Sequence, residues 1–341
     1  MSLVSSYSTL LDARMKKIFP VVQSEVTEEY LKIANKVSWG QYQYVMSGVT
    51  GLSMGQIIAD GAIPGSDAPI QGYTKTFTQA IFTQRVRLSK MSYYFLFQSK
   101  NFAKIDADLK SQVLNLKDAV THLRNYYLQA LVKGGGAAGS TTVTFTPLNG
   151  FGGSVVADCS TADGVKYWSA SHAREDGGAN WSNVATGAFS FANLLTTKSL
   201  HSTKKDGRGL PLMSSLDTLV FVKDSAAHYL AQSILATLQS GKYPSATPGT
   251  TGTFVDANPI PAYKIETLSN YGGLGLVAAD WLAFDSTKKN DNFGFQYVES
   301  KGLELSDLRE DYVGNNDLIA DATVYCQMGA NDLRFWMGYV A

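Results

Sequence analysis

Cysteine, charge and histidine are all scarce in this chain of 341 residues. Its two cysteines, Cys159 and Cys326, are too few for a disulfide framework; a single bridge stays open, but we expect two buried thiols. Lys plus Arg equals Asp plus Glu at 29 each, which argues against a dedicated nucleic-acid binder, because such binders need excess cations. Only 17% of residues are charged, below the ~25% of soluble domains, which is expected of a chain that buries its surface against copies of itself.

Long apolar runs are missing as well. No window approaches the ~18 uninterrupted apolar residues of a membrane span, and the most apolar stretch, residues 272–284, contains Asp280. The first residues lack the basic and apolar regions of a secretory signal. We therefore expect a protein made in the cytoplasm, with no membrane partner, that associates with itself.

The sequence does contain one long helix and one hairpin. Apolar residues recur every three or four positions over 104–132 without glycine or proline, which predicts a helix about 43 Å long. Glycines punctuate residues 48–72, and a segment rich in threonine and aromatics follows from Tyr73 to Leu88, which predicts a two-stranded hairpin with its tip near 61–71. An isolated hairpin is marginal in water, so it needs cover from its own globule or from a neighbouring subunit.

The other elements are mixed. Residues 7–19 and 30–37 have helical spacing but too little apolar surface to stand alone, so both must dock elsewhere. Later patterns predict strands at 141–146 and 219–222, helices at 192–204 and 225–239, and short strands from 263 onward. The chain as a whole is therefore predicted to have an α+β fold.

The motif search finds no convincing catalytic or metal-binding arrangement. Residues 51–55 match the G-x-S-x-G elbow of serine hydrolases, but the helix that should follow is too short, so Ser53 is a remote nucleophile candidate. Residues 134–139 match G-x-G-x-x-G, but after a helix and before a strand, the reverse of a dinucleotide site. The histidines stand far apart and outside zinc spacing: His122, His172, His201 and His228. We expect no enzymatic activity, no cofactor and no metal.

The hairpin carries the candidate interface residues. Arg85, Arg87 and Lys90 place positive charge at the end of its second strand. This charge is either a solvated face or one side of ion pairs between subunits, which salt would screen. The candidate acidic partners on another subunit are Glu304, Asp307, Glu310 and Asp311. The complete set of candidate subunit-interface residues is Tyr73, Lys75, Phe77, Arg85, Arg87 and Lys90.

Several short motifs follow one another along the chain. The run Asp163-Gly164, Tyr167-Trp168-Ser169 and His172 resembles D-G-x-x-L-F-S-x-x-H. The other segments are Asp60-Gly61 to Pro64 (E-G-x-x-I-P), Asp206-Gly207-Arg208-Gly209-Leu210-Pro211 (D-x-x-G-x-P-L), Leu219 to Val222 (L-V-V-P), Trp281 to Asp285 (W-x-L-x-D) and Arg334, Trp336 and Gly338 (R-x-W-x-G). In their order these motifs resemble the major capsid proteins of tailed bacteriophages with the Hong Kong 97 type fold, particularly Mu-like head subunits. Lys223 departs from the pattern, because it stands where the strand's proline often sits.

The resemblance implies a division of the chain. Residues 1–47 would be an N-terminal arm, 48–92 an extended hairpin loop, 93–200 with 323–341 a peripheral domain built on the spine helix at 104–132, and 201–322 an axial domain. It also implies a structural protein without enzymatic activity, whose pentamers and hexamers form an icosahedral shell around double-stranded DNA without sequence-specific binding.

The same resemblance implies partners and a location. Besides copies of itself, the chain would meet scaffolding, portal and decoration proteins, and it would reside in the virion after assembly in the host cytoplasm. Some relatives cross-link their shells covalently through a Lys–Asn isopeptide bond, for which Lys75 and Asn331 are the candidates in this chain. No glutamate stands near Asn331 in sequence to act as the base of this reaction. Two alternatives stay open: an encapsulin-type compartment on the same fold, and a serine hydrolase using Ser53.

Overall fold

The structure is a computed structural model that describes residues 3–52, 54, 63, 66–148, 153–239, 242–244, 251–253, 263–290, 293–311 and 317–341. Its α-helices are α1 (Leu3–Ile18), α2 (Tyr30–Ile33), α3 (Lys90–Gln98), α4 (Phe102–Gly134), α5 (Phe191–Ser202) and α6 (Ala226–Gln239). No helix in this part of the chain combines the length and the apolarity that a bilayer crossing requires.

Most strands belong to two larger sheets. The five-stranded sheet contains β1 (Ala34–Ser38), β4 (Ala80–Leu88), β12 (Phe295–Leu305), β13 (Arg309–Glu310) and β14 (Leu318–Ala330). The four-stranded sheet contains β7 (Thr218–Val222), β10 (Lys264–Leu268), β11 (Trp281–Phe284) and β15 (Trp336–Tyr339). The smaller pairs are β2 (Gln43–Val49) with β3 (Gln71–Thr78), β5 (Thr142–Phe145) with β6 (Val155–Asp158), and β8 (Lys242–Pro244) with β9 (Thr251–Thr253). The predicted α+β composition is confirmed.

The long helix predicted at 104–132 is confirmed as α4, which has 33 residues. The Asn101 side chain caps its start by accepting a hydrogen bond from the Lys104 amide. Helix α1 lies against α4, burying Leu11 and Met15 and joining Arg14 to Asp106 at 2.5 Å. The first helical piece of the N-terminal segment therefore docks on the chain's own spine helix, without a neighbouring copy.

The prediction of a second helix at 30–37 is confirmed only for its first turn and is wrong for the rest. Only Tyr30–Ile33 is helical, and Ala34–Ser38 is strand β1, paired in parallel with β12 from Ala34 opposite Phe295 to Ser38 opposite Glu299. The long-range backbone pairing outweighs a helical spacing that extends over only eight residues.

The predicted hairpin is also divided. Its second strand, predicted from Tyr73 to Leu88, breaks at Gln79: β3 pairs with β2, whereas β4 leaves the hairpin and pairs with β14 along its whole length. The sequence analysis further missed helix α3. The last part of the chain holds longer strands than predicted, since β12 has 11 residues and β14 has 13.

The second sheet packs around a fully buried strand. Every residue of β7 is buried, as the apolar run at 219–222 predicts, and β10 and β11 flank it on either side. The predicted helices at 192–204 and 225–239 are confirmed as α5 and α6. Strand β15 closes this sheet against β11, so the C-terminal segment contributes to both large sheets. The proposed division into arm, loop and two domains stays a prediction.

Candidate functional site

Among the described residues, one of the four histidines, His201, lies beside a serine hydroxyl, but burial makes it a poor base. His122 contacts the Tyr271 hydroxyl at 2.9 Å, His201 contacts the Ser214 hydroxyl at 2.6 Å, and His228 contacts Gln232. Burial, and then the nearby Lys204, lower the pKa of His201 to about 3, which makes it a poor base at neutral pH. No group of three or more metal-ligating side chains occurs in the described ranges. Ser53 lies outside them.

His172 is held in a structural network. Its Nδ1 lies 2.9 Å from Asp163 Oδ2 and its Nε2 lies 3.3 Å from the Asn183 side-chain oxygen, while its ring stacks on Trp181 at 4.3 Å. Burial raises the pKa of Asp163, but hydrogen bonds from His172 and Thr161 outweigh burial and lower it. The motif from Asp163 to His172 therefore closes a loop on itself: the Thr161 hydroxyl lies 3.4 Å from Nδ1, and Nε2 contacts the Asn183 amide and no hydroxyl or thiol of the described residues.

The hairpin formed by β2 and β3 has an inner face that is docked on the chain itself. Phe77 is 2% exposed, and Met46 and Lys75 are also buried. A methyl group added at Gly329 of β14 would lie 2.5 Å from the Phe77 ring, so this ring rests directly on the backbone of β14. The hairpin is therefore anchored by its inner face. Residues 61, 62, 64 and 65 of its predicted tip lie outside the described residues, and so does the Asp60 to Pro64 motif apart from Ile63.

Lys75 is part of this anchor. Its ammonium group forms an ion pair with Asp158 and donates to the Ser160 carbonyl at 2.9 Å and to the Ser160 hydroxyl at 2.8 Å. Burial raises the pKa of Asp158, but the hydrogen bonds from Lys75 and Ser160 outweigh it and hold that pKa below its usual value. In this arrangement the amine is occupied within its own chain. A covalent bond to Asn331 stays a prediction.

The outer face of the hairpin is exposed and carries no charge. Cross-strand partners lie on the same face of an antiparallel pair, so Val45 stands beside Thr76 and Gln43 beside Thr78. The exposed residues of this outer face are Gln43, Val45, Ser47, Thr74, Thr76 and Thr78. Antiparallel strands commonly leave one face to solvent, and this face has no charged side chain that a covering protein would have to desolvate. The outer face is therefore suited to contact with another protein surface.

The three cations predicted at the end of the hairpin lie on β4 and at the start of α3. Arg85 bonds Asp321, its cross-strand partner on β14, at 2.6 Å. Arg87 pairs with Asp311 and Lys90 with Glu310, each at 2.6 Å. All three pairs form within one chain. The expectation that the acidic partners belong to another subunit is therefore corrected, although Asp311 and Glu310 were among the residues named.

We expect Arg85→Gln to lower the free energy of unfolding by less than about 1 kcal/mol, because the Arg85 side chain is half-exposed. The loss should shrink in 1 M salt. The hydrogen bond that Arg85 donates to Asp321 lowers the pKa of this carboxyl more than burial raises it. The stabilisation is thus present above the unfolded pKa of about 3.9 and disappears as pH falls through the lower folded value. Denaturant unfolding at several salt concentrations and pH values measures this.

The matched control is Lys301→Gln, which removes a more exposed pair with Glu304 on one strand and should change stability less. If Arg85→Gln leaves stability unchanged but alters self-association, the guanidinium acts between subunits, as the sequence first suggested.

A second uncharged surface lies on α3. Met91, Tyr94 and Phe95 are exposed on this helix, and none of its residues after Lys90 is charged.

The six predicted interface residues divide into two groups. Lys75 and Phe77 face the chain's own body, whereas Tyr73, Arg85, Arg87 and Lys90 leave side-chain surface for a neighbour. Their role at a subunit interface stays a prediction.

Sequence reasoning missed the acidic partners Asp158 and Asp321. Neither stands in a motif, and both are brought to their cations by strand pairing between distant segments. The outer face of the hairpin could have been found from the sequence. Its uncharged residues alternate with period two along β2 and β3, and this period can be read once the strands are placed.

Comparison with known proteins gives similarity of structure only. No family model matches the chain, and no curated protein matches it. The capsid of an empty GTA particle is 13% identical, with 94% of this chain and 93% of that chain covered and a TM-score of 0.49. The capsid of Myoviridae Phage XM1 is 12% identical (93% and 92% covered, TM-score 0.44), and a virus-like particle from Pyrococcus furiosus is 7% identical (97% and 97%, TM-score 0.41). A phage capsid is also what the sequence motifs resemble.

Proposed function

We propose that this chain is a structural shell subunit, the major capsid protein of a tailed phage or prophage. The observation that carries the proposal is the hairpin formed by β2 and β3. Its inner face is anchored on the body through Phe77 and Lys75, while its outer face is exposed and uncharged. An anchored ribbon with one uncovered face is a preformed binding surface, and a second copy of the same chain can cover it.

The remaining surface supports the same function. Exposed apolar side chains on α3 add a second uncharged contact region. The balanced overall charge suits a shell that surrounds DNA without binding it sequence-specifically. A permanent assembly needs interfaces of about 1,600 Å² or more, and a closed symmetric shell covers such surfaces with one repeated set of contacts. The order of arm, hairpin and spine helix supports this further through the sequence resemblance.

The finer proposals follow from that resemblance. Copies would assemble as pentamers and hexamers of an icosahedral shell around double-stranded DNA, in the host cytoplasm, and would remain in the virion. Scaffolding, portal and decoration proteins would be the other partners. The arm at 1–47, the loop at 48–92 and the two domains beyond them are proposed as its divisions.

The test is self-assembly of the purified chain with and without a charge on the outer face. Electron microscopy and sedimentation should show closed particles for the unaltered protein. Val45→Glu places a carboxylate on the outer face and should reduce particle yield at least tenfold, because covering it would desolvate an unpaired charge. Circular dichroism should be unchanged, since Val45 is 54% exposed.

Ser199→Glu is the matched control, because it adds the same charge to an exposed position of α5. It should assemble normally. A lone, heat-resistant monomer at all concentrations would contradict the proposal. Particles that hold a protein cargo instead of nucleic acid would favour the encapsulin-type compartment.

A further inference from the structure

A pocket of about 460 Å³ lies between the hairpin and the body of the chain. The hairpin contributes Thr50 and Tyr73, and the body contributes the rest of the lining used here: Asp163, Glu175, Asn331, Asp332 and Arg334. All of these residues belong to one chain. The pocket is therefore present in an isolated subunit.

Two buried acceptors of this lining have no hydrogen-bond partner among the described residues. They are Oε2 of Glu175, whose side chain is 9% exposed, and Oδ1 of Asn331, which is 5% exposed. Buried oxygens normally accept hydrogen bonds, and a carboxylate oxygen left without one is costly. A methyl group at Gly207 would lie 2.6 Å from Glu175 Oε2 and 2.7 Å from Thr50 Cγ2, so a side chain at this position would collide with the pocket lining.

The charge of the lining is negative. Among the described lining residues, Asp163, Glu175 and Asp332 supply three carboxylates and Arg334 supplies one guanidinium. Arg334 pairs with Asp332 and with Oε1 of Glu175, each at 2.5 Å, which leaves Oε2 unused. Burial raises the pKa of Tyr73, and the charges of Glu175 and Asp163 raise it further, as expected for a hydroxyl in a negative field.

Unused acceptors in a negative pocket fit a ligand that brings both N–H donors and positive charge. A planar guanidinium provides several donors in a fixed fork and is weakly hydrated, so it loses little on entering a half-enclosed site. Arg334 shows that the same carboxylates already accept such a group from within the chain.

We propose that this pocket binds a guanidinium group through Glu175 and Asn331. The group belongs either to a free small molecule or to an arginine side chain of a second copy of the chain. In both cases Glu175 Oε2 and Asn331 Oδ1 accept its N–H donors, and Tyr73 of the hairpin flanks it.

Titration calorimetry with n-propylguanidinium, and with its neutral isostere n-propylurea, tests the proposal on the dilute full chain. The cation should bind at least tenfold more tightly than the urea. Glu175→Gln and Asn331→Ala should each weaken cation binding about tenfold, as expected for loss of one charge-assisted hydrogen bond. Because Glu175→Gln also disturbs Arg334, thermal unfolding of both variants confirms that they are folded, and Asn331→Ala tests the pocket without a change of charge.

Glu310→Gln is the matched control, since Glu310 pairs with Lys90 outside the pocket, and it should leave cation binding unchanged. Self-association measured with saturating n-propylguanidinium separates the two sources: suppression assigns the group to a second copy, and no effect assigns it to a free ligand. Equal binding of the urea, absence of binding by the cation, or unchanged binding in both pocket variants overturns the proposal.

Discussion

Gly338→Ala should lower the free energy of unfolding by about 3 kcal/mol, at the upper end of the usual cost of overpacking. Gly338 lies in β15, opposite Leu282 of β11. A Cβ atom there would stand 2.6 Å from Cε3 of Trp168 and 2.7 Å from Cζ3. The indole cannot move aside, because it is buried and its Nε1 donates to the Val132 carbonyl at 3.0 Å. Denaturant unfolding measures the loss.

Gly302→Ala is the matched control. Gly302 is also in a strand, β12, but a Cβ atom there meets nothing within 4 Å. It should change stability by no more than about 0.5 kcal/mol. If the two variants unfold at the same denaturant concentration, the close approach of Gly338 to Trp168 is not a constraint on the fold.

The same contact gives the segment that holds Arg334, Trp336 and Gly338 a structural role. Trp336 is fully buried and stacks on Phe284 with ring centroids 4.1 Å apart, and Gly338, two residues on, leaves room for Trp168. Arg334 holds the segment to Asp332 and Glu175. These residues join strand β15 to the end of α4 and to the loop at 163–172, so the motif is a packing requirement.

The sequence could predict elements that are set by local periodicity. Helix α4 repeats apolar residues over some eight turns, and β7 is a short run that is buried on both faces; both were found. The break at Gln79 and the change from α2 to β1 were missed, because distant strands determine them: β14 captures β4 and β12 captures β1. No local pattern reports which remote strand will be available.

The candidate site follows the same rule. Tyr73, Lys75 and Phe77 were named as interface candidates because they lie on the predicted hairpin, but the sequence does not reveal that β14 and Asp158 would cover Lys75 and Phe77. The pocket residues Glu175 and Asn331 are far apart in sequence, and they line one pocket because Arg334, which follows Asn331 closely, binds Glu175 in the loop after β6.

Phe77→Ala should detach the hairpin and cost about 3–5 kcal/mol, as expected when a buried phenylalanine is truncated. Phe77 is 2% exposed, rests on Gly329 and faces Tyr44 with ring centroids 6.1 Å apart. Because the hairpin is a two-stranded unit, part of this loss should appear as local opening. Hydrogen exchange should therefore accelerate in β2 and β3 before it does in β14, and proteases should cleave between β2 and β3.

Val45→Ala is the matched control, since it truncates a side chain on the exposed outer face of the same hairpin. Its stability and exchange should match those of the unaltered chain. Substitutions on the two faces of the hairpin should also differ in their effect on particle assembly. Phe77→Ala should block particle formation although every outer-face residue is intact, because a detached ribbon must be ordered again before it can be covered. Unchanged exchange in Phe77→Ala would show that the inner face does not anchor the hairpin, and the proposed preformed surface would have no basis.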